Sequence, residues 1–243
     1  MPSRRVLIFG GTREARELAD LLTADGFEVT TALAGVTSQP SLPRGAVHSG
    51  RFGGADGIAR YAKAENFSLL IDATHPFAAR ISANVAAAAG DLGLPCWRLE
   101  RAAWQAEESD QWTKVADFAE AAAAVPVAAR VFLTIGHRGL EPFFDRSDLS
   151  GLIRVIEEPK ITLPTGWQLI RSRPPHALVD ELDLMDQNHI SVLVSKNAGG
   201  SATYTKLVAA RQREIKVVMI RRPIKAPMTT FHSATELLAK LKQ

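Results

Sequence analysis

What most constrains this chain is an apolar run that turns directly into a helix. Val6-Leu7-Ile8-Phe9 shows no polar alternation, Gly10-Gly11-Thr12 breaks the run, and from Arg13 apolar residues recur at helical spacing. A strand without polar alternation is covered on both faces, as in a parallel sheet. Over 13–22, Ala15, Leu18, Leu21 and Leu22 share one side of a helix, and Gly26 stops it. The rhythm continues. Strands are predicted over 27–31, 46–48, 69–71 and 94–98, and helices over 58–64 and 77–89, the second with Pro76 at its first position. Strand and helix alternating at this pace predict a right-handed, doubly wound parallel sheet.

The charged stretch 100–112 lacks periodicity and is taken as the crossover between domains. A second series follows, with strands over 131–135, 152–156, 167–171, 190–195 and 216–220. Helices are predicted over 117–125, 176–185, 203–211 and 233–241. The expected fold is therefore α/β, with two Rossmann-like lobes, each a mainly parallel sheet flanked by helices, and a cleft between them. The N-terminal dinucleotide-binding domain is placed at 1–100 and a C-terminal α/β domain at 101–243.

Composition narrows the partners. With 46% hydrophobic and 23% charged residues in 243, the chain is ordinary globular material and not disordered. A single cysteine, Cys96, rules out a disulfide within the chain and fits a reducing compartment. The apolar stretch after Met1-Pro2-Ser3-Arg4-Arg5 is too short for a signal peptide, and no segment approaches the roughly 18 apolar residues of a membrane span. A cytoplasmic monomer is expected. From Thr205 onward nine Lys or Arg face two acids. Such a basic third attracts an anion, or stands as a solvated face. Aromatic platforms among the basic residues and zinc-finger spacing are both missing, so neither nucleic acid, membrane nor metal is expected.

Four stretches carry chemistry. At Gly10-Gly11-Thr12-Arg13-Glu14 the glycines permit a sharp turn and close approach of a ligand, and the helix N-terminus behind them presents N–H groups to a phosphate. The stretch departs from G-x-G-x-x-G, with Thr12 and Ala15 where later glycines would stand. An NAD site usually places an acid about twenty residues further on, at the end of the second strand. Thr30 and Thr31 occupy that place, and Arg13 and Arg51 are available for a 2′-phosphate, which favours NADPH. A plain tight turn and two surface arginines are the simpler reading. At 71–78, Thr74 is expected to cap the next helix, while Asp72, Thr74 and His75 gather at a strand's ligand edge beside Pro76. At 195–206, Lys196, Gly199 and Gly200 precede a helix and repeat the logic of the first turn. The order of a P-loop is absent there, so ATP is not implied.

Taken together, IFGGTREAREL at 8–18, SGRFG at 49–53, IDATHPFA at 71–78, WRLER at 97–101 with Trp104, SKNAGG at 195–200 and IRRP at 220–223 resemble the precorrin-6A reductases of cobalamin synthesis. The resemblance implies NADPH-dependent reduction of one double bond of the precorrin-6A macrocycle, giving precorrin-6B. Ser49 and Gly50, beside Arg51, join the expected cofactor contacts. The substrate is then an anionic, tetrapyrrole-derived molecule rich in carboxylates, for which Arg80, Arg98, Arg101, Arg138, Arg171, Arg173, Lys196, Arg221 and Arg222 are candidates. Two or three of these are expected only to bridge neighbouring acids. Asp72, His75, His137 and Lys196 are eligible proton donors, unless the basic macrocycle arrives already protonated. The alternatives are an NADPH-dependent reductase of another anionic small molecule and a non-catalytic nucleotide-binding module. A short-chain dehydrogenase is disfavoured, since neither Tyr61 nor Tyr204 has Lys four residues later. Whether the substrate carries cobalt stays open at this point.

Overall fold

The computed structural model describes residues 4–33, 42–158 and 161–243, so Met1-Pro2-Ser3 of the signal-peptide argument lie outside the described residues. In chain order the first elements are β1 (Arg5–Phe9), α1 (Arg13–Ala24), β2 (Glu28–Leu33), β3 (Ala46–Ser49), α2 (Ala55–Ala64), β4 (Leu69–Asp72), α3 (Ala79–Leu92) and β5 (Cys96–Leu99). There follow β6 (Trp112–Val115), α4 (Phe118–Ala124), β7 (Arg130–Thr134), α5 (Glu141–Phe144), β8 (Ser150–Val155), β9 (Trp167–Arg171) and α6 (Leu178–Gln187). The last are β10 (Val192–Lys196), α7 (Thr205–Gln212), β11 (Lys216–Ile220), β12 (Thr229–Phe231) and α8 (Ala234–Leu241).

These form two six-stranded sheets, ordered β12-β5-β4-β1-β2-β3 and β6-β11-β10-β7-β8-β9. All pairings are parallel, which is why β1 and β7 read as unbroken apolar runs: helices cover both faces. On one face of the first sheet Val6 and Ile8 pack with Leu18 and Leu22 of α1 and Leu237 of α8. On the other, Leu7 and Phe9 pack with Ile58 of α2 and Val85 of α3. The second sheet buries Phe132, Leu193, Val217 and Met219 against Leu207, Ala209 and Ala210 of α7 and Met185 of α6. The expected two-sheet α/β architecture is present.

The division of the chain differs from the sequence reading. One compact unit is Met1–Ala102 with Pro223–Gln243, and the other is Ala103–Arg222. Residues 223–243, expected in the second domain, complete the first: β12 pairs with β5, and α8 adds Ala234 and Leu237 to the core shared with α1. Each sheet thus takes its sixth strand from the opposite direction in sequence, β12 from after the second unit and β6 from before the rest of its own. Strands β6 and β12 were not anticipated. Both are short edge strands, and Trp112-Thr113-Lys114-Val115 begins inside the stretch taken as a featureless crossover.

Assignment of the C-terminus to the first core is directly testable. Leu237→Ala leaves a cavity costing about 2–5 kcal/mol. Hydrogen exchange followed by mass spectrometry should then quicken in β1 and α1 and stay unchanged over 103–222. Faster exchange in the second unit instead would refute the assignment.

Candidate functional site

In the first unit β2 and β3 lie on one side of β1, and β4 and β5 on the other. The strand order therefore reverses at β1, and the crevice at the carboxyl end of such a switch point is where doubly wound sheets take ligands. Gly10-Gly11 leaves β1 at that point. A Cβ on Gly10 would stand 2.8 Å from Thr31 Cγ2, and Gly11 has φ +109°, so each position resists a side chain for its own reason. Thr12 caps α1: its hydroxyl accepts from the Ala15 amide at 3.0 Å and donates to the Ala73 carbonyl at 2.9 Å. One hydroxyl fixes both the helix start and the turn after β4. This cradle fits the pyrophosphate of a dinucleotide, with α1 amides directed at it. Arg13 is exposed on the first turn of α1, and Ser49, Gly50 and Arg51 are exposed at the end of β3 on the same sheet edge. Glu14 is held by Arg101 at 2.7 Å, so these two expected ligand contacts engage each other.

Thr30 and Thr31 are buried within β2, which runs on to Leu33, so they do not form the strand end as expected. No Asp or Glu occurs over 29–49.

The turn after β4 corrects several expectations. Asp72 is 1% exposed; its Oδ1 accepts from the Thr74 amide and hydroxyl at 3.2 and 2.6 Å, and its Oδ2 from Arg98 Nε at 3.3 Å. Burial pushes this carboxyl up, but the hydrogen bonds of Thr74 and Ser82 and the charge of Lys225 outweigh it and hold the group below its ordinary value. Asp72 is thus an ionised structural acceptor with no proton to give. Arg98 is 7% exposed and spends its other contact on the Ala226 carbonyl at 3.2 Å, so it is a core residue and not a substrate contact. Thr74 does not cap a helix: its hydroxyl donates to Asp72, and α3 begins five residues later with Ala78 at its N-cap. Nor does Pro76 begin one: α3 starts at Ala79, after a turn closed by the Ala78 amide on the His75 carbonyl at 2.8 Å. His75 is half-buried, and its Nδ1 accepts the Phe77 amide at 3.2 Å. The neutral ring therefore carries its proton on Nε2 and acts as a donor. Arg80 is exposed on α3.

In the second unit the order reverses at β7, with β8 and β9 on one side and β10 and β11 on the other. Gly136 (φ +81°) turns the chain after β7; a Cβ there would lie 3.9 Å from Lys196 Nζ, which brings the turns after β7 and β10 together. His137 and Arg138 are exposed on the first of these turns. Gly199 and Gly200 have φ of +72° and +77°. The loop they shape is fastened from below. The Asn197 carboxamide accepts the Trp104 amide at 2.8 Å and donates to the Trp104 carbonyl at 2.9 Å, and the Trp104 indole donates to the Gly200 carbonyl at 2.8 Å. Arg222 donates to the carbonyls of Asn197 and Ala198 at 2.9 and 3.1 Å, so it braces this loop, whereas Arg221 is exposed. Burial, with the charge of Arg138, pushes the Lys196 ammonium down to about 8. Arg171 and Arg173 meet Glu158 and Glu157 at 3.5 and 2.9 Å, the bridging role expected of a few arginines.

One residue escaped the sequence reading. Lys206 is 6% exposed, with its ammonium 5.5 Å from the Trp104 ring centre. The signal was present: Lys206 sits three and four residues before Ala209 and Ala210, on the apolar face of α7.

Two parallel sheets, each with its glycine turns and basic residues at the carboxyl edge, define a doubly wound α/β protein of the nucleotide-binding type. A family model described as Precorrin-6x reductase CbiJ/CobK matches residues 5–242, and the chain belongs to that family of oxidoreductases. The precorrin-6A reductase of Rhodococcus erythropolis is 45% identical over 227 residues, covering 93% of this chain and 92% of the relative. A solved structure described as CobK precorrin-6A reductase superposes with a TM-score of 0.92 at 38% identity, over 98% of this chain and 96% of its own. The cobalt-precorrin-6A reductase of Priestia megaterium is more distant, 28% identical over 246 residues and 95% of each chain.

The Asp72 carboxylate, held ionised by Thr74, Ser82 and Lys225, predicts a pH signature. A carboxyl held below its ordinary 3.8 contributes stability that is complete above that value and lost as pH falls through the lowered one. Asp72→Asn leaves Arg98 buried without its counter-ion and should cost about 3–5 kcal/mol at neutral pH. Denaturant unfolding between pH 3 and 7 checks both, since the variant's loss should shrink toward the acid end. A pH-independent loss would remove the charge from the account.

Proposed function

We propose that the protein reduces one double bond of precorrin-6A with NADPH, giving precorrin-6B in cobalamin biosynthesis. The observation that carries this is the Gly10-Gly11 turn at the switch point of the first sheet, with Thr12 capping α1, in a chain of the precorrin reductase family. NADPH, when bound, supplies the hydride. The chain's task is to hold two anions in register and to deliver a proton. Gly10, Gly11, Thr12 and the first turn of α1 take the pyrophosphate. Arg13 and Arg51 take the 2′-phosphate, a choice supported by the acid-free stretch over 29–49. Ser49, Gly50, Thr74, His75 and Pro76 line the same edge, where His75 Nε2–H is oriented to donate. Arg80, Arg138 and Arg221, exposed at these edges, are the arginines proposed to meet substrate carboxylates, while Arg101 is engaged by Glu14. Lys196, Gly199 and Gly200 meet anionic groups of substrate or cofactor. The metal-free macrocycle is favoured because a relative at 45% identity is named for precorrin-6A, and the one named for the cobalt form stands at 28%. The lone thiol, Cys96, suits a cytoplasmic setting, in which the protein acts as a monomer.

Lys196 is assigned as proton donor. It is cationic at neutral pH and close enough to neutrality to release a proton, whereas Asp72 is held ionised.

Oxidation of NADPH followed at 340 nm with precorrin-6A tests the reading, and no oxidation beyond a substrate-free control would reject it. Replacing both Arg13 and Arg51 with Ala should weaken NADPH binding by about tenfold or more per contact and leave NADH binding nearly unchanged. Equal loss for both cofactors would exclude the 2′-phosphate role. With Lys196 as donor, kcat falls as pH rises through about 8, and Lys196→Ala lowers kcat and abolishes that limb. A variant that keeps the wild-type profile would clear Lys196 of the role.

A further inference from the structure

Beneath the 195–200 loop lies a cluster of charges that does not balance. Glu181 of α6 is fully buried, and both its oxygens are taken by Arg154 of β8 at 2.7 and 2.8 Å. Lys206, on the first turn of α7, has no side-chain hydrogen bond or ion pair to any described residue; its ammonium lies over the face of Trp104, 5.5 Å from the ring centre. Trp104 is itself tied to Asn197 and Gly200, so the ammonium lies against the anchor of that loop. The same ammonium feels the charge of Lys196 at the end of β10. The nearest carboxylate to act on it, Glu181, is already committed to Arg154, and a position that required only packing would be better served by Met or Leu than by an amine. The start of α7 adds a positive helix end to the same spot.

We propose that Lys206 is a buried anchor for an oxyanion of the ligand, a carboxylate of the macrocycle or a phosphate of the dinucleotide, received at the carboxyl edge of the second sheet. The naming of these two ligands rests on the proposed function; the call for an anion rests on a buried amine that has no carboxylate of its own to keep it charged.

A consequence follows for protons. Burial, with Arg154 and Lys196, holds the Lys206 ammonium at about 7 against the pull of Glu181. The charged and titratable groups that act on it are Glu181 on α6, Arg154 on β8, Lys196 on β10 and His176 just before α6; beyond them Asp180 acts on His176, and Arg138 on Lys196. His176 is itself held below its ordinary value by burial and by Arg154, so it is neutral near pH 7.5. Arg211, further along α7, pairs instead with Asp110 and Glu107. At pH 7.5 Lys206 is then largely neutral, and an arriving anion restores its charge by drawing a proton from solvent.

Isothermal titration calorimetry at pH 7.5, in buffers of differing ionisation enthalpy, reads that proton. NADP+ is titrated in one series and precorrin-6A in the other. One ligand should bind with uptake of well over half a proton, and which one it is identifies phosphate or carboxylate. Lys206→Met should lose the uptake and bind that ligand about tenfold more weakly. Lys206→Arg, permanently charged, should bind it without uptake, and it stands in for the Met variant if that fails to fold. Absence of uptake with both ligands, or uptake unchanged in a folded variant, overturns the proposal. Reduction of precorrin-6A by the wild type tests the functional reading separately, and the NADP+ series does not depend on it.

Discussion

Parallel strands cannot be joined by a tight turn, and every pairing in this protein is parallel. Each strand must leave its sheet at one edge and return to the other through a crossover, and these crossovers have one hand. All the turns that follow strands therefore collect on a single edge of each sheet. In the first unit this brings the turns after β1, β3, β4 and β5 together although they are far apart in sequence. Reversal of the winding at β1 then opens a crevice where Gly10-Gly11 emerges. The Thr12 hydroxyl joins two of those turns in a single hydrogen-bonded link.

Buried charge supplies what sheet geometry alone does not. Asp72 ends β4 and Arg98 stands opposite it in β5, so their ion pair spans two neighbouring strand ends. Through the Ala226 carbonyl, Arg98 also binds the returning C-terminal segment that carries β12. A buried pair seldom adds much net stability, but breaking it is severe, which makes it a device of position. Arg154 and Glu181 do the same for β8 and α6 in the second unit. Both pairs balance their charge within the protein. Lys206 does not, and that difference separates a residue holding the fold from one directed at a ligand.

Much of this was legible in the residues. The unbroken apolar runs announced β1, β4, β7 and β10, and every predicted binding residue except the buried Arg98 lies on or beside the carboxyl edge of its sheet. Four things were not legible. The exchange of β6 and β12 was hidden because edge strands of three or four residues carry too little apolar periodicity to stand out. The local reading of Thr74 as a cap failed because a turn over His75–Ala78 intervenes, and the helix begins only at Ala79. Arg98 read as a ligand contact because sequence shows charge and not burial. Lys206 was overlooked for the opposite reason: charge on an apolar helix face was averaged into its surroundings.

The two units share a topology and divide the chemistry. After β1 the chain enters a capped helix of 12 residues, whose first amides serve an anion at any pH. After β7 it enters α5, only four residues long, with no side-chain cap and a proline, which has no N–H, in its first turn. The turn after β7 therefore has little backbone to offer an anion, and the basic side chains of this unit's carboxyl edge stand on three separate elements: Arg138 after β7, Lys196 at the end of β10 and Lys206 at the start of α7. Backbone dipoles cannot titrate, whereas Lys196 and Lys206 are pushed down to about 8 and about 7 by burial. Near neutral pH, the charge of the second edge is consequently set by these two lysines, whereas the amides at the start of α1 keep theirs.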